Sequence, residues 1–249
     1  MSRASWSYQP VSVGHRFRDA LTADGISIIA EIKRRSPSKG ELRMDADPAS
    51  FARAYEAGGA ACLSVLTDGR RFGGSAQDLR EARSAVDIPV LRKDFLCTEQ
   101  DVHETYEMGA DALLLILADV GADRIGPLQD QALTLGIDVL TEVRTEQELE
   151  TAVEHGAYMI AVNQRNDPKA PRFTVDYGKA VSMGPLFHRL GPGIVKVAAS
   201  GIGVPGGTTL AEVADAGYDA ALIGEALVTA PDPSAALRQL RQSEPAPVG

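Results

Sequence analysis

Cysteine is scarce: Cys62 and Cys97 are the only two in 249 residues. Neither sits in a short Cys/His spacing, so a zinc site and a disulfide framework are both excluded, and both thiols read as reduced. Histidine is also sparse. His15, His103, His155 and His188 fall on the N-terminal arm and on helices, where they read as surface residues; no His/Asp/Glu cluster has metal spacing, and no metal is expected. Long hydrophobic runs are missing. The longest, Ala112 to Ala118, is far too short to span a bilayer, and the first 25 residues hold no apolar stretch that would read as a signal peptide. An excess of positive charge is missing too: 25 Lys and Arg face 34 Asp and Glu, a net charge of −9. That balance argues against nucleic acid or an anionic membrane as partner, and any anionic ligand must be drawn in by local charge. A cytoplasmic protein is expected.

What the chain does have is a recurring unit. An apolar or β-branched run of five to seven residues is followed by a loop and an amphipathic helix. The runs are Ser27 to Lys33, Ala61 to Leu66, Ile88 to Lys93, Asp111 to Leu117, Ile137 to Glu142, Tyr158 to Asn163, Ile194 to Ala199 and Asp219 to Gly224. Near-continuous apolar runs suit strands buried on both faces, as in a parallel sheet. Asp47-Pro48, Ser75, Thr98 and Thr145 read as starts of helices over 49–57, 76–84, 99–108 and 146–155, with Thr98 and Asp101 close to a capping box. A helix is also expected from Pro205 to Ala216, and a short one over 17–23. Gly59, Gly109 and Gly217 each stand between a helix end and the next strand, as left-handed residues. Eight βα units in about 220 residues fit a single (β/α)8 TIM barrel, an α/β fold, better than an open doubly wound sheet. No Gly-x-Gly-x-x-Gly follows the first strand, which supports that choice. The expected layout is an N-terminal arm and short helix at 1–26, the barrel at 27–242 and a loose tail at 243–249.

In such a barrel the active site lies at the C-terminal ends of the strands. Glu31 and Lys33, two residues apart, project from one face of the first strand, ahead of a basic Ser/Pro/Gly loop at 34–40 that reads as a mobile lid. Lys93 ends the third strand, Glu142 the fifth, and Asn163 the sixth, with Arg165 just beyond it. Two amines would thus face two carboxylates across one mouth. Any one of these charges could be structural; their convergence suggests acid–base chemistry. Ser200-Gly201-Ile202-Gly203 and Ile223-Gly224-Glu225 read as Gly-rich loops running into helices, at the two positions where barrels hold phosphate. The ligand class implied is a phosphorylated small molecule.

These segments carry a resemblance. Ile29-Ala30-Glu31-Ile32-Lys33-Arg34-Arg35-Ser36-Pro37-Ser38-Lys39-Gly40 closely resembles the signature of the indole-3-glycerol-phosphate synthase family. So do Leu63 to Asp68 with Phe72 to Ser75, Pro89 to Phe95, Leu140 to Val143, Val162-Asn163 with Arg165-Asn166, Ser200 to Ile202 and Ile223 to Leu227. The resemblance runs from about residue 17 to 240. It implies a cofactor-free carboxy-lyase of tryptophan biosynthesis. Such an enzyme converts 1-(2-carboxyphenylamino)-1-deoxyribulose 5-phosphate to indole-3-glycerol phosphate, carbon dioxide and water. By resemblance, Lys93 is the general acid, Glu142 the base, and Lys33 binds phosphate and carboxylate. Glu31 positions Lys33, and Asn163 lines the reacting centre. Ser36, Ser64, Phe95, Arg165, Ser200, Gly201, Gly224 and Glu225 are the expected substrate and phosphate contacts. A lysine acid works best with its pKa drawn toward neutrality, which Lys33 beside Lys93 would do.

Three departures stand out, all at the aromatic half of the substrate. Ala199 stands where the family has a Glu, Asp167 where an apolar residue is expected in a longer loop from Asn166 to Pro171, and the segment before the first strand is short, although its helix normally helps cover the mouth. Two other readings therefore stay open: a paralogue acting on an altered aromatic substrate, and a non-catalytic barrel kept as a binding partner. Association with other enzymes of the pathway is not legible in the chain.

Overall fold

The apolar runs do become strands, and they close on themselves. The computed structural model describes residues 15–23, 25–165, 174–190 and 193–242. We number the barrel strands β1 (Ser27–Ile32), β2 (Cys62–Leu66), β3 (Val90–Lys93), β4 (Ala112–Ile116), β5 (Asp138–Val143), β6 (Met159–Asn163), β7 (Val195–Ala199) and β8 (Ala220–Ile223). Each pairs in parallel with its neighbours in sequence, and β8 returns to β1 through Ser27↔Ala220 and Ala30↔Ile223. The (β/α)8 expectation holds.

Alternation along each strand separates two cores. Ile29, Leu91, Leu140 and Leu222 fill the barrel interior, while Ile28, Ala30 and Val139 point outward under the helices. Because both faces are covered, the runs carry no apolar–polar alternation of their own. The helices start where the capping residues stand. Asp47, Ser75 and Thr145 each accept a bond from the backbone N–H three residues on, and Thr98 with Asp101 forms a full capping box. Gly59, at φ 91°, ends the first of these helices.

Some elements differ from the sequence expectation. The helix expected from Pro205 begins at Leu210, capped by a Thr209–Glu212 box, because Gly206 at φ 72° and the turn closed by Gly207 N–H to Val204 C=O cannot continue into a helix. A helix at Ala122–Thr134 carries Pro127 inside it, so the Gly126–Pro127 pair that reads as a breaker is embedded in a helix. The loop at 34–40 forms a hairpin, pairing Arg35 with Glu41 and Ser36 with Gly40. Its base is braced by Arg34, which donates to both carboxylate oxygens of Asp78 and to Gly73 C=O.

The short first helix spans Arg16–Ala20, and it does not lie at the mouth. Phe17 and Leu21, fully buried, plug the opposite end of the barrel. There Asp138 accepts bonds from the backbone N–H groups of Phe17 and Arg18 and from Tyr158 Oη, and His15 Nδ1 lies 2.6 Å from its Oδ1. His15 is therefore no surface residue: its partner draws it into the barrel floor. His103, His155 and His188 are exposed as expected. The arm at 1–14, the loop at 166–173 and the tail at 243–249 lie outside the described residues.

Candidate active site

Period-two geometry places the site. Ile29, Glu31 and Lys33 follow one another up the inner face of β1, as Leu91, Lys93 and Phe95 do at β3, Leu140, Glu142 and Arg144 at β5, and Ala161, Asn163 and Arg165 at β6. The first of each set is core; the rest line a cavity of about 430 Å³ at the C-terminal ends of the strands.

Glu31 is the hub of one wall. Its Oε1 accepts from Lys33 Nζ, and its Oε2 lies 3.0 Å from Lys93 Nζ. Burial would raise this carboxyl, but the two ammonium groups outweigh it and hold Glu31 down to about 2. Lys33, 7% exposed, is drawn below the usual lysine range by burial, helped by the charges of Arg165 and Lys93 and opposed by Glu31. Gly224 closes against this pair: a Cβ there would collide with Glu31 Oε1 and Lys33 Nζ, so a larger residue would have to displace the ion pair.

The opposite wall is built differently. The two amines do not divide between the two carboxylates. Glu142, 3% exposed, takes its one ion pair among the described residues from Arg144, whose Nη2 lies 3.1 Å from Oε1. Asn163 Oδ1 accepts from Arg165 N–H, and Arg165 C=O accepts from Lys179 Nζ. Ser200 holds φ at 73°, an unusual angle for a residue with a side chain, and its carbonyl accepts from Gln164 Nε2. Gly201, at φ 70°, packs where a Cβ would strike the Tyr177 ring. The β7 loop does not run directly into a helix; it first forms a bridge between Ile202 and Thr208. Glu225 does begin a four-residue helix, and it pairs at 3.6 Å with Lys39 of the hairpin.

An aromatic shelf completes the mouth. Phe72 and Phe95 stack with centroids 6.3 Å apart, and the Arg71 guanidinium sits 4.1 Å above Phe95. Of the residues singled out from sequence, Ser36 and Ser64 are not on the cavity wall. Ser36 Oγ accepts from Lys39 N–H inside the hairpin turn, and Ser64 Oγ is buried without a partner among the described residues. The other eleven share the wall. Arg71, Phe72, Asp94 and Arg144 line it too and were not singled out. For Arg144 the signal was present: it lies two residues beyond Glu142 on the same face. Ala199 belongs to the barrel interior, paired in register with Asn163 and Leu222, and it brings no polar group there.

The chain matches the indole-3-glycerol phosphate synthase family over residues 4–240. It belongs to that family. Among its relatives, the indole-3-glycerol phosphate synthase of Mycolicibacterium gilvum is 46% identical over 225 residues, covering 89% of this chain and 78% of that protein. Indole-3-glycerol phosphate synthase 1 of Streptomyces coelicolor is 47% identical, with 89% and 79% covered. The crystal structure of orotidine 5'-phosphate decarboxylase from Pyrococcus horikoshii superposes with a TM-score of 0.61 at 16% identity, covering 86% of this chain and 96% of that one; it shares the fold. In this family setting the Lys33–Glu31–Lys93 cluster and Glu142 stand at the strand ends their motifs assign them. The Asn166–Pro171 departure lies outside the described residues. Among those residues, no helix is long and apolar enough to cross a membrane, and no group of three or more His, Cys, Asp or Glu could hold a metal ion.

Proposed function

We propose that this protein is an indole-3-glycerol-phosphate synthase, a carboxy-lyase acting on a phosphorylated small molecule. The observation that carries the reading is the placement of Lys93 and Glu142 on opposite walls of one cavity in a chain of this family. The ring carbon bearing the carboxylate attacks the ketone carbon, and the Lys93 ammonium delivers a proton to the ketone oxygen as the bond forms. The carboxylate leaves as carbon dioxide, returning its electron pair to the ring. The new hydroxyl then departs as water, with Lys33 assisting and Glu142 taking the proton lost from the neighbouring carbon. Positioned acids and bases of this kind contribute about 10²–10⁴-fold each.

Glu31 serves both lysines: its carboxylate fixes their ammonium groups without competing for the proton, since it stays ionised. The Ser200–Gly201 turn and Gly224 offer backbone N–H groups for the phosphate, with the aromatic half of the substrate against Phe95 and Phe72. Asn163 and Arg165 line the reacting centre between the two.

Ala199 favours a second reading, a family member tuned to a changed aromatic group, because the inner face of β7 carries a methyl where the resemblance implies a carboxylate. One assay separates the two. Pure protein given the carboxyphenylamino-deoxyribulose phosphate should develop indole fluorescence, and failure to do so overturns the synthase reading. Faster turnover of a ring-substituted analogue than of the parent would decide for the second.

A further inference from the structure

Arg144 is one of three arginines on the cavity wall, with Arg71 and Arg165. Its backbone N–H is pinned by Glu148 Oε2 at 2.6 Å, in the first turn of the following helix. Among the described residues its guanidinium, 11% exposed, holds one ion pair, to Glu142, and its Nε is buried without a hydrogen-bond partner. Lys33 and Lys93 are both committed to Glu31, and Arg71 lies flat on Phe95. Arg144 therefore combines a fixed backbone with an under-bonded planar fork on the cavity wall. The Lys179 ammonium lies near it, together with the carboxylates of Asp176, Glu148 and Glu142. A guanidinium matches a carboxylate through two parallel bonds.

We propose that Arg144 is a specificity-determining residue that receives the carboxylate carried on the substrate's aromatic ring. The inference rests on the synthase reading and names a contact for that substrate beyond the lysines. The guanidinium turns toward the incoming carboxylate at the expense of a single ion pair, and its idle Nε gains an acceptor. Because the reaction expels this carboxylate as neutral carbon dioxide, the contact is made in the ground state and weakens toward the transition state. Arg144 thus contributes to binding and selection rather than to the chemical step.

The test compares two inert probes in which the ketone is reduced to an alcohol, one with the ring carboxylate and one without it. Dissociation constants are measured for the unaltered protein, Arg144→Gln and Arg144→Lys. The unaltered protein should prefer the carboxylated probe by roughly tenfold or more, the scale of one charge-assisted pair. Arg144→Gln should bring the ratio within about threefold, and Arg144→Lys, which keeps charge without the fork, should fall between them. In turnover, Arg144→Gln should raise KM more than it lowers kcat. An unchanged preference in Arg144→Gln, with the loss confined to kcat and its pH profile, overturns the proposal and reduces Arg144 to a positioning residue for Glu142. If the unaltered protein binds neither probe, the synthase reading fails and this inference fails with it.

Discussion

Two carboxylates on one strand, four residues apart on the same inner face, have opposite surroundings. Asp138 at the foot of β5 and Glu142 at its top are 2% and 3% exposed. Asp138 is saturated: two backbone N–H groups, a tyrosine hydroxyl and a histidine ring occupy both of its oxygens. Glu142 takes one ion pair among the described residues, from a guanidinium that is itself under-bonded. Equal burial therefore carries unequal meaning. A buried charge with every lone pair used is a structural joint, whereas one with lone pairs to spare, on a cavity wall, is held ready for a ligand. The same contrast separates the helix Arg16–Ala20, which seals the floor, from the open mouth.

The largest effects should fall on activity at the mouth. Lys93→Ala and Glu142→Gln should each lower turnover in the fluorescence assay by about 10²–10⁴-fold. Glu142→Gln should cost less stability in urea unfolding than the loss of Asp138, because the amide still accepts from Arg144 and the cavity admits water. Asp138→Ala should do the reverse. It strips partners from several buried donors and should cost about 3–5 kcal/mol, with near-normal turnover in the fraction that remains folded. Equal stability losses from the two substitutions would break the comparison.

Acid sharpens it. The folded Glu31 carboxyl lies below its unfolded value, so its ion pairs add stability that is complete above about pH 4.5 and lost as pH falls toward 2. The stability gap between the unaltered protein and Glu31→Gln should shrink across that window, and a gap independent of pH would show that the two lysines do not hold Glu31 ionised. Smallest is Ser200→Gly, which relieves a positive φ and should change stability by less than about 1 kcal/mol, in the stabilising direction. A clear loss there would mean that the Ser200 side chain repays its strained backbone.

Much of this was legible along the chain, for identifiable reasons. Strand period two predicts that Glu31 joins Lys33 on one face, and barrel topology predicts that both meet Lys93 and Glu142. The same period marks Arg144 two residues past Glu142, yet the charge there reads as the start of a solvated loop. The helix at 122–134 holds Pro127 beyond its first turn, where the ring withholds one backbone N–H from the ladder. His15 read as a surface residue because its partner lies 123 positions away.

Local chemistry thus determined the strands, the caps at Asp47, Ser75, Thr98 and Thr145, the eightfold repeat and the set of charged strand ends, since each depends on residues a few positions apart. Only the closed barrel decided how those charges pair beyond their own strand. Burial and distance around the ring give Glu31 its second lysine and join His15 to Asp138. Glu31–Lys33 and Glu142–Arg144 follow strand spacing, but Glu31–Lys93 and His15–Asp138 depend on through-space geometry that no spacing along a single strand contains.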